Sequence, residues 1–243
     1  MSERADIRLF VAADLAPAAE IVLNGEQAHY LRAVMRRGPG DRVAVFNGRD
    51  GEWRAAIVDL GKRGGHLTLE SQSRPQQKAR PLDLLFAPVK RAGTEWLVQK
   101  ATELGAARLR PVLTRRTERA RLRLERLQTI ATEAAEQCER LDVPVIDEPV
   151  ELAHLLADWP AGTPLLFCDE RAPGPPLLQA LADLMPPAGL LIGPEGGFDP
   201  AEREDLLARP AVRQVSLGPR ILRAETAALA ALATCQAHWD LLG

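Results

Sequence analysis

Along residues 7–72 the chain alternates between apolar and polar positions over short distances. The runs Ile7–Val11, Arg42–Phe46, Trp53–Leu60 and His66–Glu70 each read as a strand. Between them, Asn47-Gly48-Arg49-Asp50-Gly51 and Gly61-Lys62-Arg63-Gly64-Gly65 carry turn chemistry. One helical stretch interrupts, Gly25–Arg37, with Ala28, Leu31, Val34 and Met35 near helical spacing. Short strands at regular spacing predict a small β-barrel. The segment Ser71–Pro81 is polar, aperiodic and bounded by prolines, so it reads as a linker. These limits predict a barrel over residues 1–73, a linker over 74–81 and a second domain over 82–243.

Beyond residue 82 the pattern changes. Apolar runs at Leu82–Val89, Arg108–Leu113, Val143–Ile146 and Leu165–Cys168 read as strands. Helical spacing is found at Gly93–Gly105, Leu122–Leu141, Glu151–Asp158 and Pro176–Met185. In the first of these helices, Trp96, Leu97, Ala101 and Leu104 fall at core spacing, and Gly105 is its stop. A last helix is expected over Glu225–Leu242. Strands alternating with helices predict an α/β domain with a parallel sheet covered on both faces.

The C-terminal third organises the rest. Leu190-Leu191-Ile192-Gly193-Pro194-Glu195-Gly196-Gly197-Phe198 is followed by Ser216-Leu217-Gly218-Pro219-Arg220-Ile221-Leu222-Arg223-Ala224-Glu225-Thr226-Ala227. Each begins as a short apolar run, breaks at glycine and proline, and leads into a helix-like segment. Two such units side by side would bring both loops to the carboxyl ends of strands, where open α/β sheets bind ligands. The glycines allow close backbone approach or positive φ. Neither a phosphate loop nor the Gly-x-Gly-x-x-Gly dinucleotide pattern is present. A tight turn is the plain alternative for one such loop; two together favour a ligand site.

Charge and composition narrow the classes. The formal net charge of −2 gives no overall basic field, yet arginines gather locally at Arg8, Arg32, Arg36, Arg37, Arg42, Arg49 and Arg54. Acids interleave with them, so a solvated surface is the competing reading. No apolar run approaches the ~20 residues of a membrane span. The N-terminal Met1–Asp6 lacks an apolar signal core, which predicts a cytoplasmic location. Three cysteines, Cys138, Cys168 and Cys235, and four histidines are scattered, so no metal site is expected.

The two C-terminal stretches resemble the signature of the SPOUT methyltransferases, and within them the ribosomal RNA small subunit methyltransferase E family. The resemblance implies a C-terminal trefoil knot whose loops hold S-adenosylmethionine. Arg8-Leu9-Phe10-Val11, Gly25–Arg36, Pro39-Gly40-Asp41 and Phe46-Asn47-Gly48 resemble the family's PUA-like RNA-binding barrel. Lys90, Lys100 with Glu103, Glu133 with Gln137, and Arg116 also match family motifs. Tyr30, Arg115 and Glu139 depart from them, standing where the family commonly has His, Glu and Gly.

The resemblance implies methylation of N(3) of a uridine in 16S ribosomal RNA, within an assembled small subunit, by a homodimer. Ile192, Gly193, Gly197, Leu217, Gly218, Ile221 and Leu222 are the expected cofactor-binding residues. Arg8, Arg32, Arg36, Lys90 and Arg116 are expected to bind RNA. Losing the N(3) proton needs a fixed cation near the pyrimidine oxygens. Arg223 is the candidate for that role. It cannot be the base, since guanidinium stays protonated; Glu195 or a water would accept the proton. Two other readings are a non-catalytic RNA-binding assembly factor and a doubly wound nucleotide-binding enzyme. A SPOUT methyltransferase acting at another RNA position is a third.

Overall fold

The computed structural model describes residues 7–77, 79–118, 122–171 and 174–242. The chain divides into two compact units. The first takes the residues up to 77 together with Ala135–Val143; the second takes the remainder.

The first unit is built on β1 (Arg8–Phe10), β2 (Glu20–Leu23), α1 (Gly25–His29), β3 (Arg42–Phe46), β4 (Glu52–Leu60) and β5 (Gly65–Arg74). The strands form one sheet in the order β1-β3-β4-β5-β2, with β1 parallel to β3 and the other pairs antiparallel. Ile21 and Leu23 are buried between exposed Glu20 and Val22, so β2 has the period-2 pattern of a half-covered strand that the sequence reading passed over. Ile7, Leu9, Val43, Val45, Ile57 and Leu67 lie in the core beneath the sheet. α1 starts at a capping box in which Asn24 and Gln27 exchange side-chain and backbone hydrogen bonds. The expected helix to Arg37 is shorter and changes type. Tyr30–Val34 is a π-helical turn, and Arg36 takes a φ of +54°, which no continuing helix allows.

The second unit begins with β6 (Leu82–Phe86), α2 (Arg91–Glu103), β7 (Arg108–Leu113) and α3 (Leu124–Gln137), whose end runs on into the first unit's segment. There follow β8 (Val145–Ile146), β9 (Val150–Glu151), α4 (Leu152–Ala157), β10 (Leu165–Cys168) and α5 (Leu177–Ala180). β11 (Ala188–Ile192), α6 (Pro200–Leu207), β12 (Val212–Val215) and α7 (Ala224–Leu242) complete it. The sheet order is β12-β10-β11-β6-β7-β8, and every pair is parallel. The α/β expectation therefore holds. The expectation that the two glycine loops follow adjacent strands does not, because β10 lies between β11 and β12. All five residues of β11 are buried, which suits a central strand. Val212-Arg213-Gln214-Val215 buries only its last residue and suits the edge.

Two further differences have local causes. α2 buries Thr94, Leu97, Val98, Ala101 and Thr102, so Trp96 falls off that stripe and is 42% exposed rather than in the core. The helix-like segment expected after the first glycine loop, to which the sequence reading gave no bounds, is α6: Asp199 caps it, Pro200 opens it, and Glu202 reaches back to the Asp199 amide.

Candidate active site

The carboxyl ends of β10, β11 and β12 surround a cavity of about 1020 Å³, and Lys90 after β6 adds to its wall. Ile192, Gly193, Leu217, Gly218, Ile221 and Leu222 line it, with Glu195 and Arg223. Gly197 alone among the expected cofactor residues does not. A third stretch, Cys168–Arg171 after β10, also contributes, and sequence reasoning missed it. Its only sequence signal is that an apolar strand ends abruptly in Asp169-Glu170-Arg171.

The glycines serve different purposes. Gly218 has a φ of +105° and nothing within 4 Å of where a Cβ would stand, so backbone conformation alone demands it. Its amide donates to Ser216 Oγ at 3.2 Å. A Cβ on Gly193 would meet the Phe198 ring at 2.4 Å. Phe198 in turn packs edge-on against Phe167, 5.0 Å between centroids, so this close approach comes from the protein's own core. Gly197, with φ +66°, closes the turn by donating to the Pro194 carbonyl at 2.8 Å. A Cβ there would lie 2.5 Å from Glu170 Oε1.

Fixed charges brace these loops. Asp169 is buried, and its Oδ2 accepts from Arg203 at 2.6 Å and Gln214 at 2.9 Å. Its Oδ1 accepts from the Arg171 amide at 3.0 Å, which sets the start of the third loop. Arg116 donates to the Gly196 carbonyl at 3.1 Å. Arg115, the departure from the family motif, donates its amide to Glu202 at 2.8 Å and its guanidinium to Asp199 at 2.9 Å. Burial pushes the Asp199 carboxyl up, but the Ala201 amide and Arg115 outweigh it and hold the carboxyl below its usual value. Burial also raises the thiol of Cys168, in the cavity wall, well above its usual value and pushes that of Cys235 up to about 12, so neither is a thiolate nucleophile at neutral pH.

Arg223 and Glu195 are both exposed at the cavity wall, and neither side chain has a partner among the described residues. An Arg223–Glu225 ion pair, the plain structural role for Arg223, is not formed; Glu225 Oε2 is buried without a hydrogen-bond partner.

The expected RNA-binding residues divide between the two units. Arg32 and Arg36 are exposed in the first unit, and Lys90 and Arg116 are exposed in the second. Arg8 is different. Its side chain is 7% exposed and donates to Glu52 and to the carbonyls of Ala135, Glu136 and Arg140. With every nitrogen engaged, Arg8 is a structural residue of the first unit. The same bonds draw Ala135–Val143 into that unit, although the sequence boundaries assign it to the second domain.

Residues 76–236 match the family model described as an RNA methyltransferase domain, and residues 23–70 match the RNA methyltransferase PUA domain. A ribosomal RNA small subunit methyltransferase E from Synechocystis is 38% identical over 236 residues, covering 95% of this chain and 77% of the relative. The namesake from Rickettsia conorii is 31% identical, covering 93% of each chain. The chain belongs to the ribosomal RNA small subunit methyltransferase E family. A solved family structure from Neisseria gonorrhoeae, bound to S-adenosyl methionine, aligns with a TM-score of 0.82 and 26% identity, covering 95% of this chain and 97% of that one. The PUA match and the parallel-sheet unit agree with the two-part architecture expected from the sequence.

Proposed function

We propose that this family member methylates N(3) of a uridine in 16S ribosomal RNA, using S-adenosylmethionine, on the assembled small subunit. The observation that carries the reading is an unpaired Arg223 in the wall of a cavity made by three strand-end loops. The residues fit the cofactor. Ile192, Leu217 and Leu222 offer apolar surface, the open space beside Gly218 leaves backbone accessible, and Glu170 and Glu195 suit a ligand with cationic groups. When bound, S-adenosylmethionine supplies an electrophilic methyl group on sulfur. Arg223 stabilises the negative charge that develops on the pyrimidine oxygens as the N(3) proton leaves. Glu195, or a water it orients, accepts that proton. The trefoil knot, the homodimer and the cytoplasmic location belong to the same proposal. The exposed α7 positions Ala233, Ala237 and Leu241, spaced at i, i+4 and i+8, support the dimer.

The assay combines purified protein, methyl-labelled cofactor and small subunits from a strain lacking the modification. Label should appear on uridine N(3). Arg223→Lys keeps charge but loses the planar fork; it should bind cofactor normally and lose roughly 10²-fold in turnover. Label on cytosine, on a ribose hydroxyl or only on transfer RNA overturns the substrate assignment. Cofactor binding with no transfer to any RNA favours the non-catalytic assembly factor.

A further inference from the structure

We infer that the catalytic unit carries its own RNA-docking tract, running from the cavity wall at Lys90 over the start of α2 to the start of α3. Trp96 serves as its base-stacking platform. The inference rests on the RNA methyltransferase reading and extends it to a surface outside the PUA domain.

Three observations meet here. The first is charge. Residues 115–126 hold six arginines against two glutamates, in a chain whose net charge is −2. Among the described ones, Arg123 and Arg126 are exposed and make no side-chain hydrogen bond or ion pair within 4 Å. Lys90, at the cavity wall, is likewise exposed and unpaired there. The acids that interleave are Glu95, Glu118 and Glu125, and Glu95 is already held by Arg91 at 2.7 Å.

The second is proximity. The Glu95 carboxyl is held below its usual value first by the Arg91 hydrogen bond, then by the charges of Arg126 and Arg123. The charges of Arg126 and Arg123 thus reach Glu95, the residue before Trp96. Lys90 is the residue immediately before α2, so the cations run on from the cavity rather than standing apart.

The third is the aromatic. Of the four tryptophans, Trp53 and Trp239 are buried and Trp159 is half-buried, whereas Trp96 is 42% exposed. A large exposed ring on the helix that Lys90 precedes matches single-stranded nucleic acid, whose bases stack while its phosphates meet exposed cations. A base that must leave its helix to be methylated needs flanking nucleotides held close to the cavity.

The test uses the full chain with three variants, Trp96→Ala, Trp96→Phe and Arg123→Glu/Arg126→Glu. All three positions are solvent-exposed, and cofactor calorimetry on each variant confirms an intact cavity. Oligouridylate should quench the exposed tryptophan of the native protein, and Trp96→Ala should abolish that quenching. Affinity for unmodified small subunits should fall about 10-fold in Trp96→Ala and be largely restored in Trp96→Phe. The double reversal should reduce the salt slope of binding by about 1.4 or more. In methylation, KM for the subunit should rise while kcat at saturation stays near native. Native subunit affinity and salt slope in Trp96→Ala and the double reversal would overturn the tract, whatever the methylated position proves to be. Loss of kcat with unchanged KM would also overturn it.

Discussion

At Gly197, glycine is required by the backbone, and a side chain there would also push aside Glu170 of the neighbouring loop. The φ of +66° disfavours any L side chain, and a Cβ would strike Glu170 Oε1 and crowd Arg171 at 3.2 Å. Gly197→Val should cost about 1–2 kcal/mol in backbone strain and displace Glu170 from the cavity wall. S-adenosylmethionine affinity should fall in calorimetry, alongside a lower melting temperature. Gly218→Ala is the control, since its φ is also positive but its surroundings are open. It should lose stability through strain alone. Native cofactor affinity in Gly197→Val would remove Gly197 from the supports of the site. Arg223 and Gly197 thus stand differently toward the cavity, one in its wall and the other outside its lining.

Elements of the first unit are held together by one buried carboxylate. Glu52 on β4 accepts from Arg8 on β1 at 2.7 Å and from Arg74 at the end of β5 at 2.6 Å. Arg8 also lies over the Phe46 ring on β3, 4.4 Å from its centroid. Burial pushes the Glu52 carboxyl up, but hydrogen bonds from Arg74, Arg8 and Ser73 outweigh it and leave the group below its usual value. A carboxyl lowered in the folded state adds stability above its unfolded value of about 4.3. That contribution is lost as pH falls through the folded value. Urea midpoints should therefore drop in acid, and Glu52→Gln should flatten part of that dependence while lowering stability at neutral pH. Arg8→Met should cost about 3 kcal/mol by breaking a buried pair. A neutral-pH midpoint unchanged in Arg8→Met would mean that the Arg74 bond alone suffices.

For the whole molecule, the test of the proposed dimer is mass. Light scattering at micromolar concentration should report twice the 26.5 kDa of the chain. Ala237→Arg, on the exposed side of α7, should shift the particle toward monomer without unfolding it. A native monomer mass overturns the dimer. Binding to small subunits should also weaken steeply with salt, because a net acidic protein must meet phosphates through local cations.

How much was legible in the chain follows from range. Periodicity separated a strand-rich N-terminal part from an alternating α/β part, because the 2-residue and 3.6-residue patterns are local properties. Gly193, Gly218 and Arg223 were recognisable because glycine breaks and a cation beside them are also local. Strand order was not recognisable. That β10 lies between β11 and β12 depends on how half-polar and fully apolar strands share edge and centre, a decision taken only when the sheet forms. The loop at Asp169–Arg171 entered the site by the same route. Trp96 and Arg8 show the limit most plainly. An aromatic at near-core spacing proved exposed, and an arginine in a basic cluster proved buried. A side chain's burial depends on which groups fold against it, and for Arg8 those are the carbonyls of Ala135, Glu136 and Arg140, more than 120 residues away in sequence.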